Sequence, residues 1–344
     1  MSTTTRVLAP VPIIDIAPFD SGDPVARAAV VRAVGHACSG IGFILVAGHG
    51  VPQDAIDDFT TEIHRFFSLP VEEKLRFKSP DDDLFQGYAC PGNGPGWHTS
   101  ERQSFNVQRH DTWDEMLAAG YPADTERVFA PALWPSAAYR RACRRYFEEM
   151  EGLAARLLRI FEAYLGLPDG WFADKVDHDP STQAANWYSD EIDAGHDPSP
   201  YRFKAHLDGS VITILHQDDG PGSLQLHQRG VGWGDVAAVP GTFVVNLGEV
   251  LARWTNDRFV ATPHRVLKPA VPDPRPRVSC PFFLKANVDA VIAPIPSLLG
   301  PGEAPKYPPV TGLEWLVGDA KLRYANQDST VRFEELAAAD PILR

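Results

Sequence analysis

Apolar residues follow two periods along this chain: up to about Leu165 they recur every three or four positions, and beyond Gln183 they alternate or gather in short runs. The first regime predicts helices. Val11 to Ile16 reads as a short opening strand, and Asp23-Pro24 then supplies an N-cap and a first-turn proline to a helix through VARAAVVRAVGHACS. FILVAGHG predicts a buried strand and turn, and Pro52 opens a second helix running to about Phe67. The stretch from Pro80 to Trp97 is rich in Pro, Gly and Asp and reads as loop, with Asp81 to Asp83 as a solvated turn. Ser136 is placed to cap a long scaffold helix in which Tyr146, Met150, Leu153, Leu157, Ile160 and Tyr164 fall on one face.

The second regime predicts strands. QAANWY, RFKAHLD, SVITILHQ, SLQLH, GDVAAV, TFVVNL, ATPHRVL and RVSCPFFL are β-rich runs separated by Gly, Pro and Asp turns. The expected fold class is therefore α+β, with helices first and then an antiparallel sandwich or barrel, and the stretch from about Pro296 returning to cover it. The acidic segment 189–200 reads as an inserted surface loop.

Composition narrows the function classes. The chain has 344 residues, 44% of them hydrophobic, enough to bury a substantial core. Its net charge of −13 would repel a phosphate backbone, which argues against nucleic acid as a partner. No stretch approaches the roughly 18 to 20 apolar residues of a membrane span, and the first residues lack a secretory core. The expectation is a cytoplasmic protein with no membrane partner. Cys38, Cys90, Cys143 and Cys280 are scattered and form no CxxC pair, so buried free thiols are expected rather than disulfides or structural zinc.

Candidate chemistry sits in the β-rich half. In RFKAHLDGS, His206 and Asp208 are i and i+2 on an expected strand and so share a face. His264, in ATPHRVLKP, lies far enough downstream to come from a strand across a barrel. Two histidines and one carboxylate on one face of an octahedral metal leave three positions open, which suits Fe(II) and O2. In RVSCPFF, Arg277 and Ser279 are again i and i+2 and offer a guanidinium fork and a hydroxyl to a carboxylate. A 2-oxo acid bridging iron and Arg277 would use both features. His216 and His227 fall near strand ends, and His36, His49 and His64 lie in the helical part, where satisfied polar roles are expected.

These motifs resemble the isopenicillin N synthase-like 2-oxoglutarate and iron(II)-dependent dioxygenases. The likeness runs through VPIIDI, FILVAGHGVP, NWY, AHLDGSVITILHQDD, GSLQL, VVNLGEVLARWTNDRFVATPHRV and R-x-S-x-x-F-F, most of residues 11 to 290. It implies a double-stranded β-helix, or jelly-roll, core. On that basis the chain divides into an N-terminal dioxygenase region (1–125), a scaffold helix region (126–180), the core (181–290) and a C-terminal covering segment (291–344), together one compact unit. The resemblance implies iron held by His206, Asp208 and His264, with the distal carboxylate of 2-oxoglutarate on Arg277 and Ser279. Tyr188 would position that cosubstrate, with Asn186 beside it.

The implied reaction oxidises a small-molecule substrate with O2 and converts 2-oxoglutarate to succinate and CO2, with ascorbate as a supporting reductant. Hydroxylation is the default outcome, and desaturation and cyclisation use the same oxidant. An oxidase of the same fold that needs no 2-oxoglutarate is the nearest alternative, since isopenicillin N synthase and aminocyclopropane-carboxylate oxidase also carry R-x-S. A zinc hydrolase would fit the histidines and aspartate but leave R-x-S without a purpose, and the intact ligand set with its carboxylate anchor argues against a non-catalytic binding module. Two further residues are candidates for the substrate. Lys204 shares strand parity with His206 and Asp208, and a pocket arginine occupies the corresponding place in aminocyclopropane-carboxylate oxidases. Phe282 and Phe283 alternate across their strand, so that one packs in the core and the other, taken as Phe283, approaches the pocket.

Overall fold

The computed structural model describes residues 10–79, 84, 86–90, 102–189, 200–220, 223–270 and 273–318. In chain order they form β1 (Ile13–Asp15), α1 (Pro24–Gly40), β2 (Phe43–Ala47), α2 (Gln53–Phe67), α3 (Val71–Lys74), β3 (Gly87–Ala89), β4 (Gln103–Gln108), α4 (Trp113–Ala118), α5 (Ala137–Leu165) and β5 (Thr182–Tyr188). There follow β6 (Tyr201–His206), β7 (Ile212–Gln217), β8 (Ser223–Gln228), β9 (Gly232–Val236), β10 (Phe243–Leu247), α6 (Glu249–Trp254), β11 (His264–Leu267), β12 (Arg277–Leu284), β13 (Val291–Ile292) and β14 (Val310–Thr311).

The helix starts follow the capping signals. Asp23 Oδ1 accepts the Val25 N–H at 2.8 Å, and Ser136 Oγ accepts the Tyr139 N–H at 3.0 Å; a cap of this kind is worth about 1 kcal/mol. Gly166, at φ 68°, ends α5 in the left-handed conformation that glycine adopts without strain.

Two sheets make the core. One has eight strands in the order β1-β2-β10-β7-β12-β5-β4-β3, and the other has four in the order β6-β11-β8-β9. Between them lies an apolar layer of Phe43, Leu45, Tyr188, Leu215 and Val244 from the large sheet and Leu224, Leu226, Val236 and Val266 from the small one. The other face of the large sheet, including Ile44, Val46, Trp187, Ile214, Val278 and Phe282, packs on Phe59 and Ile63 of α2 and Met150 and Leu157 of α5. This is the jelly roll of the expected α+β class. Strand alternation decides which residues face inward. Along β12, Val278, Cys280 and Phe282 go to the helices, which leaves Arg277, Ser279 and Phe283 on the inner face.

The sequence pattern does not predict β3, β4, β13 and β14 or the short helices α3, α4 and α6. β3 lies inside the span read as loop, and it forms because Tyr88 stands opposite Phe105 and both rings pack on Phe66. Residues 80–83, 85 and 91–97 of that span, the acidic segment 190–199 and the chain from 319 onward lie outside the described residues. Beyond the core, β13 pairs with β14 and residues 312–318 are helical. From there Trp315 Nε1 donates to Gly209 O at 2.8 Å, so this part of the C-terminal segment does lie against the core. Among the described residues no helix is long and apolar enough to cross a membrane. All four cysteines are free and buried.

Candidate metal centre and carboxylate pocket

β6 and β11 run antiparallel in the small sheet, with His206 directly opposite His264. β6 ends at His206, so Asp208 sits in the turn that follows rather than in the strand expected for it. The turn is held from below by backbone bonds. Glu249 N, Gly248 N and Val250 N donate to Asp208 O, Val211 O and Ser210 O at 2.8, 3.0 and 3.2 Å. Only glycine permits that approach at 248, because a Cβ there would lie 1.9 Å from Ser210 O.

The three side chains converge. Asp208 Oδ1 lies 3.6 Å from Nε2 of both His206 and His264, and one ligand atom from each residue falls within 4.8 Å of the others. Each ring is fixed by a backbone carbonyl two residues earlier: His206 Nδ1 meets Lys204 O at 2.9 Å, and His264 Nδ1 meets Thr262 O at 3.2 Å. A carbonyl can only accept, so both Nδ1 atoms carry the proton and both Nε2 lone pairs face Asp208. The carboxylate is oriented in the same way. Thr213 Oγ1 and Asn246 Nδ2 both donate to Asp208 Oδ2, at 2.6 and 2.7 Å, which turns Oδ1 toward the imidazoles. Burial pushes the Asp208 carboxyl up, but His264, His206 and these two hydrogen bonds outweigh it and hold it below the usual carboxylate range. Two neutral nitrogens and one anion, aimed at one point, are a donor set that fits a divalent iron.

A buried cation lies deeper between the sheets. Arg277 is 2% exposed and stands opposite Tyr188, with its guanidinium carbon 5.3 Å from the centre of the Tyr188 ring. Its Nη2 donates to Gln217 Oε1 at 2.9 Å, while Nη1 is sealed from solvent without an acceptor. Burial lowers its pKa, opposed by nearby Tyr188 and Asp218. A sealed guanidinium with an unused donor calls for an anion. Ser279 stands opposite Asn186, whose Nδ2 reaches Ser279 Oγ at 3.5 Å. Arg277, Ser279, Tyr188 and Asn186 thus share one inner surface.

The remaining candidates separate. Phe282 is fully buried against Phe147, whereas Phe283 is half-buried opposite Thr213, next to the ligand cluster. Lys204 is exposed. The strand-parity argument fails for it because the β6–β11 register slips between His206 and Phe203 and again before Tyr201, a β-bulge that rotates the residues between. His216 and His227 stand outside the ligand cluster. Sequence reasoning does not single out Thr213, Asn246, Gln217 or Gly248. Thr213, Asn246 and Gly248 are signalled by a lone polar residue or glycine in an otherwise apolar run, as in VITIL and FVVNLG, whereas Gln217 stands in the polar run HQDD and carries no such signal.

Residues 11–137 match the N-terminal family of the non-haem dioxygenases in morphine synthesis, and residues 181–286 match the 2OG-Fe(II) oxygenase superfamily. The 2-oxoglutarate-Fe(II) type oxidoreductase ppzC of Metarhizium rileyi is 31% identical over 329 residues, covering 89% of this chain and 85% of its own. The 2-oxoglutarate-Fe(II) type oxidoreductase hxnY of Emericella nidulans is 28% identical over 331 residues, covering 92% and 91%. Among solved structures, a full-length Neurospora crassa protein in complex with alpha-KG superimposes with a TM-score of 0.76 at 25% identity, over 90% of this chain and 96% of that one.

Proposed function

Because this chain belongs to the 2OG-Fe(II) oxygenase superfamily, we propose that His206, Asp208 and His264 hold its iron and that Arg277 and Ser279 hold the distal carboxylate of its 2-oxoglutarate. The chain is an oxygenase that uses 2-oxoglutarate and Fe(II), and the cosubstrate-free oxidase, zinc hydrolase and binding module fall away with that. The observation that carries the residue assignment is the buried Arg277 guanidinium with its unused Nη1, on the inner surface of the same two sheets whose rim presents three convergent ligand atoms.

Iron held there would supply, with O2 and with 2-oxoglutarate converted to succinate and CO2, an oxidant for a substrate C–H bond. The residues of this chain fix the parts. Nδ1 protonation presents both imidazoles to the metal through Nε2, and Asp208 brings the single negative charge. Arg277 and Ser279 would orient 2-oxoglutarate from its far end, with Tyr188 packed beneath the guanidinium and Asn186 beside the hydroxyl. The apolar layer between the sheets keeps water from the cosubstrate.

The substrate in this reading is a small molecule, hydroxylated by default, with Phe283 beside it and no nucleic-acid or membrane partner. The four unpaired thiols suit a reducing compartment, and we assign the cytoplasm. The chain acts as one unit in this reading, since β1 and β2 of the N-terminal region share a sheet with β10 of the core. Anaerobic Fe(II) titration and succinate formation from 2-oxoglutarate, with iron and ascorbate, test the assignment. His206→Ala and His264→Ala should each lose iron and turnover; wild-type iron content in either variant would overturn it.

A further inference from the structure

Arg102 has no place in the scheme so far. It lies one residue before β4, on the side of that strand where Ser104 faces Asn186 across the ladder. Its guanidinium carbon lies 4.2 Å from the centre of the Phe203 ring, and that ring lies 4.3 Å from the His206 imidazole, centre to centre. Phe203 belongs to the opposing sheet and packs on the apolar layer between the two, so Arg102 reaches across the mouth of the jelly roll and stops beside the metal centre.

The donors of this side chain are unused among the described residues. Arg102 Nε is sealed from solvent with no acceptor, and none of the described residues accepts from the rest of the guanidinium. Other arginines of the chain behave differently: Arg109 pairs with Glu151, Arg140 and Arg144 with Asp111, Arg145 with Asp54 and Arg156 with Asp20. With 45 acidic residues against 32 basic ones, acids are plentiful, yet none of the described ones reaches Arg102. Stacking on Phe203 stabilises the face of the guanidinium but satisfies no N–H, because the donors lie in the plane and point outward at the edge. A carboxylate meets that edge with two parallel hydrogen bonds.

We propose that Arg102 is the anchor for an anionic primary substrate, a small carboxylic acid whose carboxylate sits on the Arg102 edge and whose oxidised C–H bond is thereby placed at the metal centre. This rests on the metal and cosubstrate assignments above. Arg277 and Arg102 then divide two carboxylates between them, the first deep between the sheets for 2-oxoglutarate and the second at the mouth for the substrate.

Because the contact is local, fragments suffice as probes. Phenylacetate and hexanoate are each titrated beside their own primary amides into anaerobic protein already loaded with Fe(II) and 2-oxoglutarate, and binding is read by calorimetry. Wild type should prefer each acid to its amide about tenfold or more. Arg102→Met should abolish that preference, Arg102→Lys should retain part of it, and 2-oxoglutarate affinity should be equal in all three proteins. The lysine variant also serves if the methionine one fails to fold. Equal binding of acid and amide by wild type, or an intact preference in Arg102→Met, overturns the proposal. Weakened 2-oxoglutarate binding in Arg102→Met also overturns it, since Arg102 would then belong to the cosubstrate. A wild type that fails to bind 2-oxoglutarate before any acid is added overturns the Arg277 assignment itself, which keeps the two failures apart.

Discussion

Replacing Thr213 by valine removes one hydroxyl and almost no volume, and it isolates what the surroundings of Asp208 contribute. The Thr213 hydroxyl donates to Oδ2 at 2.6 Å and lies 3.1 Å from the Ser210 hydroxyl, while Asn246 holds the same Oδ2 at 2.7 Å. Asp208 is only 6% exposed, so water cannot replace the lost donor. A hydrogen bond to a buried charge is worth about 1.5–3 kcal/mol. Part of that is lost from the apoprotein as well, because the carboxylate is less well compensated there too. What bears on the metal is the freedom Oδ1 gains to rotate away from the two Nε2 atoms, and losing an orienting partner of a ligand typically costs roughly 10- to 100-fold in metal affinity. Thr213→Val should therefore bind Fe(II), or Co(II) as an air-stable stand-in, about 10- to 100-fold more weakly in anaerobic calorimetry, with a fold that still melts cooperatively. Thr213→Ser, which keeps the hydroxyl, should recover most of the affinity. An unchanged metal affinity in Thr213→Val would refute the idea that Oδ2 contacts aim Oδ1.

Three further outcomes follow from the geometry. Arg277→Lys should raise the Michaelis constant for 2-oxoglutarate about tenfold or more, because a point charge cannot reproduce the fork that leaves Nη1 free beside the Nη2 to Gln217 bond; an unchanged constant would remove Arg277 from the cosubstrate site. Lys204→Met should leave succinate formation and 2-oxoglutarate affinity as in wild type, since the side chain is exposed and the bulge breaks its parity with His206, and a loss of either would restore it to the pocket. Asp179 makes pH a probe of the fold: burial first, and then the nearby Glu151, push its carboxyl up to about 7. Between an unfolded value near about 3.9 and that folded value the native state keeps a proton the unfolded state has released, so stability falls as pH rises through this window, by up to about 1.4 kcal/mol per unit, and is flat above it. Asp179→Asn keeps an acceptor for the Ser181 N–H and should be more stable than wild type at about pH 8 but not at about pH 4, as read from urea midpoints; parallel pH profiles would count against the shift.

Residues whose chemistry and period agree were readable in one dimension, and those whose role depends on a neighbour were not. α5 is legible because cap, apolar stripe and terminator coincide at Ser136, Leu157 and Gly166, α1 because Asp23-Pro24 marks its start, and α2 because Pro52 precedes an apolar stripe. His206 with Asp208, and Arg277 with Ser279, stand out as candidates because each pair sits at i and i+2 in a β-rich run, whereas His264, far downstream, is picked out by the family resemblance. β4 was missed although QSFNVQ alternates, with Phe105 and Val107 toward the helices. Its intervening polar residues, Ser104 and Asn106, read as surface but are buried on the inner face of the sheet. Thr213 and Asn246 were missed for the same reason: a polar residue in an apolar strand acquires meaning only when the register sets it beside Asp208.

The bulge in β6 shows why that register could not be inferred from alternation. A regular strand would alternate its side chains strictly, which would place Lys204 and His206 on the same face. The slip between Phe203 and His206 does two things at once. It turns the exposed Lys204 outward, sparing the interior a cation, and it sits in the stretch where the Lys204 carbonyl accepts from His206 Nδ1 at 2.9 Å, which fixes the tautomer that ligation needs. The same stretch stacks Phe203 between His206 and Arg102, so one irregular turn of strand orients the proposed ligand on one side and the proposed substrate anchor on the other. Local irregularity here is bound up with the site, and a residue inserted or removed between Phe203 and His206 should cost metal affinity and acid preference together while leaving the Arg277 side of the pocket, which is built on β5, β7 and β12, able to bind 2-oxoglutarate.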